Sequence, residues 1–155
     1  MTGDRKRLQR STGTRTGFGA ARAFFRRPPP AASMEDVEAF RQGEGRFVTC
    51  SLRGSVDPYP RRSTQGKLAL TSSRVAWRPA WGVRRRWLTI DERIQSMERR
   101  PAGGSEWNVK KGGKAFGVLP VPEFQVVVCT TDRGILEFSV PSADLVLVET
   151  ALGRQ

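Results

Sequence analysis

The segment Gly66-Lys-Leu-Ala-Leu-Thr71-Ser-Ser-Arg74-Val-Ala-Trp77-Arg-Pro79 constrains the fold of this chain more than any other. Leu68 and Leu70 alternate with Lys67 and Ala69, and Val75 and Trp77 alternate with Arg74 and Arg78 across a polar turn. A period of two marks strands with one buried and one wet face. Two such runs joined by a short turn predict an antiparallel hairpin. The domain is therefore expected to be a small antiparallel β structure rather than a nucleotide-binding α/β fold.

The same reading extends along the chain. Residues 46–53, 87–90, 93–99, 124–130 and 134–140 predict further strands, the last two joined by the turn Thr131-Asp132-Arg133-Gly134. Residues 54–65 hold two prolines among turn formers and predict a loop. Residues 105–123 predict two short strands, near 106–109 and 115–119, around a basic glycine turn. Ser33 is expected to cap a short helix over 34–41, with acidic residues in its first turn. Ser142 is expected to cap a final helix in which Leu145, Val148 and Leu152 share one face and Gly153 stops the chain. The architecture predicted is mainly β: a bent antiparallel sheet or partly open barrel of about seven strands, covered at one end by a C-terminal α-helix.

Charge is distributed unevenly. The 155 residues carry 27 Lys and Arg against 15 Asp and Glu, a formal +12, and 22 of the cations are Arg. Eight of those cations and one acid lie in residues 1–34, so that stretch alone carries +7. Residues 1–33, rich in Arg, Thr, Gly and Ser and ending in Pro28-Pro29-Pro30, are expected to form a disordered basic arm, with the folded domain over 34–155. The arm's weakly apolar piece around Phe24 and Phe25 is interrupted by Arg22, and no run of about 18 apolar residues occurs to span a membrane.

The chain has no histidine. That removes the usual general base and the commonest metal ligand, so Ser-His-Asp and Cys-His chemistry is excluded. Two cysteines, Cys50 and Cys129, cannot make a Cys-rich zinc site. Each lies in an apolar run and reads as a buried core thiol, with a disulfide across the sheet as the alternative. Asp91, Glu92 and Asp132 have no catalytic partner nearby in sequence. The reading is accordingly not an enzyme, with no cofactor and no metal.

The pattern Gly66-x-Leu-x-Leu-Thr71-x-x-Arg74-x-x-Trp77, with the Ser-led final helix, resembles the pleckstrin-homology (PH) or GRAM-like superfold. The pieces Cys50-Ser-Leu-Arg53, Trp77-Arg-Pro79, Arg99-Arg-Pro101 with Gly103 and Glu106, and Val128-Cys129 before Gly134-Ile-Leu-Glu-Phe-Ser-Val-Pro-Ser-Ala143 are together similar to an actinobacterial family of unknown function. Members usually carry one N-terminal membrane helix before a PH-like cytoplasmic domain, and this sequence contains no such helix. The resemblance covers roughly residues 45–153 and implies fold more than activity.

Three basic clusters fall in connections: Arg61 with Arg62; Arg84, Arg85 and Arg86; and Lys110, Lys111 and Lys114. Arg53 and Lys67 flank the first long loop, where the resemblance implies that PH-like domains hold anion ligands. Loops on a rigid sheet are common binding sites, and juxtamembrane cations attract anionic lipid. The function expected is a non-catalytic binding module, cytoplasmic and peripheral at the inner membrane face, whose partner is an anionic membrane surface or a protein. Arginines beside Trp77, Trp81, Trp87 and Trp107 leave a non-specific nucleic-acid binder as a further alternative, though no nucleic-acid motif accompanies them.

Overall fold

In a computed structural model the described residues are 8–14, 30–83, 85–103 and 124–154. Their elements in chain order are β1 (Gln9–Arg10), α1 (Pro30–Arg41), β2 (Arg46–Gly54), β3 (Thr64–Leu70), β4 (Val75–Pro79), β5 (Leu88–Ile90), β6 (Ile94–Pro101), β7 (Phe124–Thr131), β8 (Ile135–Pro141), a 3-10 turn (Ser142–Asp144) and α2 (Leu145–Leu152).

The hairpin that anchors the sequence reading is β3 with β4, in the register Leu68 to Trp77 and Leu70 to Val75. Its closing turn is held by Thr71, whose hydroxyl accepts the Arg74 amide at 3.1 Å. Trp77 is fully buried, and its indole nitrogen donates to the Cys50 carbonyl at 3.0 Å. That reach across β3 depends on Gly66. A Cβ there would lie 2.2 Å from the Arg78 carbonyl and 2.7 Å from the Trp77 ring.

Strand order is β5-β4-β3-β2-β8-β7-β6, with β1 added in parallel to β2. Two antiparallel meanders meet at β2, and the sheet curls into a half-barrel of seven strands with a C-terminal helix. This is the bent, partly open barrel that the strand pattern predicts. β2 makes the bend. It pairs with β3 over Arg46 to Leu52 but with β8 only over Ser51 to Gly54. The interior is filled by Val48, Cys50, Leu52, Leu68, Leu70, Val127, Leu136 and Phe138, closed by Leu145, Val148 and Leu152 of α2 and by Val37 and Phe40 of α1. Burying each such side chain contributes about 1.5–3 kcal/mol.

Cys50 and Cys129 are free and buried. Burial pushes both thiols up, Cys129 to about 12 with a further contribution from Glu149, and Cys50 with one from Cys129. Neither presents a thiolate, which is the reactive form.

Three local expectations are corrected. The first helix starts at Pro30 rather than after Ser33, in keeping with the tolerance of a first helical turn for proline. Ser142 does not cap α2. The residue preceding the helix is Asp144, its carboxylate directed elsewhere, while the Ser142 hydroxyl is buried with no hydrogen-bond partner among the described residues. Gly153 follows α2 in a right-handed conformation (φ −68°), so the helix ends without a left-handed glycine.

The largest correction concerns the N-terminus. Residues 8–14, expected within a disordered arm, are built into the fold: β1 pairs with Arg46 and Phe47, and Ser11, Thr12, Gly13 and Thr14 are buried. Residues 1–7 and 15–29 of the expected arm, and both strands expected within 105–123, lie outside the described residues.

Candidate functional site

The register of the strands brings several connections to one end of the half-barrel. Gly54 ends β2 opposite Leu136, Thr64 starts β3 opposite Leu52, and Pro79 ends β4 opposite Gly66. The connections 55–63 and 80–87 therefore leave and return at that end, and the turn 132–134 joins them there. The Ser55 amide donates to the Ile135 carbonyl at 2.9 Å, and the Ile135 amide donates to the Ser55 hydroxyl at 2.8 Å.

A buried polar network fixes this end. Tyr59, in the first connection, turns inward, and its hydroxyl donates to the Glu92 carboxylate. The other Glu92 oxygen accepts from Arg133 at 3.2 Å, and Arg133 also donates to the Asp57 carbonyl at 2.9 Å. Burial, then the neighbouring Glu92 carboxylate, pushes the Tyr59 phenol up. The phenol thus keeps its proton and serves as a donor. These residues are 33 and 41 positions apart in the chain, so no sequence spacing exposes the network. A tyrosine among prolines and arginines in a polar loop is the one hint.

Around that anchor the connections carry exposed cations. Arg61 is exposed, with Asp57 at 3.4 Å and a bond to the Ser55 carbonyl, and Arg62 is exposed beside it. In the second connection the Ala80 amide donates to the Gln65 carbonyl at 2.9 Å, and Gly82 supplies the positive φ of +112° that the turn uses. Trp81 and Val83 project from it, 70% and 104% exposed, and Arg85 and Arg86 follow, both exposed. Arg84 lies outside the described residues.

Other predicted site residues are placed differently. Arg53 pairs with Glu137 across the β2–β8 register, and Arg100 donates to the same carboxylate at 3.0 Å. The Arg53 hydrogen bond is the main reason the Glu137 carboxyl sits below its usual range. Arg53 therefore belongs to an ion-pair cluster across the sheet. Lys67 is exposed on the outer face of β3, opposite Thr49 and Arg78. The Arg78 guanidinium stands 4.9 Å from the centre of the Trp87 ring, and Trp87 stacks on Phe47 at 6.1 Å. Trp87 is thus a rim residue and Trp77 a core one, while Trp107 lies outside the described residues.

Lys110, Lys111 and Lys114 also lie outside the described residues. The strands flanking their connection leave the sheet at Pro101 and Phe124, the far end from the 132–134 turn. Arg61, Arg62, Arg85 and Arg86 thus share an end. Among the described residues there is no group of three metal-ligating side chains, and no helix is long and apolar enough to cross a membrane. Compared with protein-family models, curated proteins and solved structures, the chain matches none of them.

Proposed function

We propose that this chain is a non-catalytic binding module that docks on an anionic lipid surface through the end of the half-barrel carrying connections 55–63 and 80–87. The observation that carries this reading is the tip of the second connection, where Trp81 and Val83 are exposed next to Arg85 and Arg86. An indole suits the interface between headgroups and acyl chains, and flanking guanidiniums suit phosphate. Arg61 and Arg62 add cations at the same end, and each cation near such a surface contributes ~1 kcal/mol at low screening. The Tyr59–Glu92–Arg133 network holds the first connection still, so binding there orders little further chain. The resemblance to PH-like domains agrees with this choice of end, and such a module works peripherally at the inner membrane face.

Co-sedimentation with phosphatidylcholine vesicles, with and without about one-third phosphatidylglycerol, tests the proposal. Partition is expected only with the anionic lipid, falling with salt, with a blue shift of Trp fluorescence that Trp81→Ser removes. Free glycerol phosphate distinguishes a headgroup site from a surface: it should not compete. Equal partition into neutral vesicles, or none into either, sinks the proposal.

A further inference from the structure

At the opposite end of β2 the sheet has a seam. β8 accompanies β2 only over Ser51 to Gly54, which leaves the edge from Arg46 to Cys50 without its antiparallel neighbour. An open edge is a template for another strand. Residues 9–14 occupy it. Gln9 and Arg10 pair in parallel with Arg46 and Phe47, the Ser11 amide donates to the Phe47 carbonyl at 2.8 Å, and the Thr49 amide donates to the Thr14 hydroxyl at 2.8 Å.

Two carboxylates grip the segment from the helices. Asp144, leading into α2, accepts the Ser11 hydroxyl at 2.7 Å, the Gly13 amide at 3.0 Å and the Thr14 hydroxyl at 3.5 Å. Asp36 of α1 accepts the Thr12 amide at 2.6 Å. The helices that carry these carboxylates do not depend on the occupant, although Asp144 takes its hydrogen bonds from it. Asp36 is also paired with buried Arg46 at 2.9 Å, and α1 and α2 are seated by their own apolar residues. None of residues 8–14 belongs to the hydrophobic core. Segments with few apolar contacts are the ones that open at low free energy.

We infer that this seam is a capture groove for a Ser-x-Gly-Thr peptide segment of a protein partner that turns helically at its Gly-Thr end, and that residues 11–14 are its resident occupant, exchangeable for that segment. The groove selects by chemistry. Two buried carboxylates demand hydroxyl and amide donors and reject acids. The Gly position admits no side chain, because a Cβ on Gly13 would lie 2.5–2.9 Å from the atoms of the Asp144 carboxyl. Residues 9–11 supply the main-chain pairing, as a peptide does when it adds to a sheet edge, and the helical turn at 12–14 supplies the donors that the carboxylates select. The inference is independent of the lipid proposal, since it uses none of the same residues.

The probe is a fluorescein-labelled peptide of residues 8–16, read by anisotropy against the full chain. Gly13→Val in the full chain evicts the resident segment and leaves Asp36, Asp144 and β2 untouched. That variant should bind the peptide saturably and at least tenfold more tightly than the wild type, whose own segment competes. A peptide carrying valine at the Gly13 position should not bind. Ser11→Ala with Thr14→Val removes donors without a clash and should show the same gain, so a misfolded Gly13→Val leaves the inference testable. Folded variants without saturable binding, equal binding by wild type and variants, or equal binding of the valine peptide would each overturn it.

Discussion

At its Gly54 end β2 feeds a connection whose arginines stand in water, whereas at its Arg46 end it lies beside two carboxylates sealed from water. Both ends are polar, yet the physics differs. The exposed cations Arg61, Arg62, Arg85 and Arg86 contribute little to folding, because solvent screens them and the unfolded chain hydrates them equally. Exposure leaves them open to an external anion, Arg61 alongside its contacts to Asp57 and the Ser55 carbonyl. Asp36 and Asp144, 4% and 1% exposed, must be satisfied inside the protein, and the chain's own Ser11 to Thr14 region does so. Where a charge sits relative to water thus decides whether it holds the fold or offers a contact. The loop end combines both roles in layers, with the Tyr59–Glu92–Arg133 network beneath and exposed tips above.

Mutations can break this comparison. The largest effect is expected from Asp36→Ala, which takes from buried Arg46 its buried carboxylate partner, leaving it the exposed Glu44 and the Gly45 carbonyl, and removes the acceptor of the Thr12 amide. A loss of about 3–5 kcal/mol is expected for breaking such a pair, read by urea unfolding. A loss as small as at an exposed site would mean the seam is as wet as the loop end. Tyr59→Phe comes next. It removes a donor from the buried Glu92 carboxylate and should cost about 1–3 kcal/mol, with faster protease cleavage within 55–63. Unchanged cleavage would show that the loop end has no rigid layer.

A smaller effect concerns pH. Burial raises the Asp144 carboxyl from its usual 3.8 to about 6, with nearby Asp36 adding to the rise, against the bonds from Ser11, Gly13 and Thr14. A folded-state value above the unfolded one means that the associated stability is full below about pH 4 and is lost as pH rises through about 6. Wild type should therefore gain about 1 kcal/mol relative to Asp144→Asn between pH 7 and pH 5. A difference that does not change across that window would place Asp144 in water. The smallest effect on folding is expected from Arg85→Ala with Arg86→Ala. The unfolding midpoint should stay unchanged while affinity for anionic vesicles falls about fivefold per cation removed. A drop in midpoint would assign these arginines to the fold.

Much of the fold is legible in the sequence where residues decide locally. The 66–79 hairpin, the terminal pair of strands and the final helix each carry their own periodicity, so their apolar faces are readable without knowing what covers them. Features decided by distant partners are not. Ser142 reads as a cap because serine usually is one, yet Asp144 faces Ser11, 133 positions away. Arg53 reads as a ligand-binding cation, yet Glu137, 84 positions on, pairs with it. Residues 8–14 read as part of a basic tail because their composition is polar. Their order arises from an edge that β8 vacates, and that edge exists only once the sheet has bent.

The sequence by itself determined an antiparallel β domain closed by a helix and a chain without histidine chemistry, because alternation, helical spacing and residue inventory are local properties. The tertiary structure alone decided which cations are neutralised, which two connections share an end and what fills the seam beside β2. Those outcomes depend on strand order and curvature, which bring together residues that no sequence spacing connects.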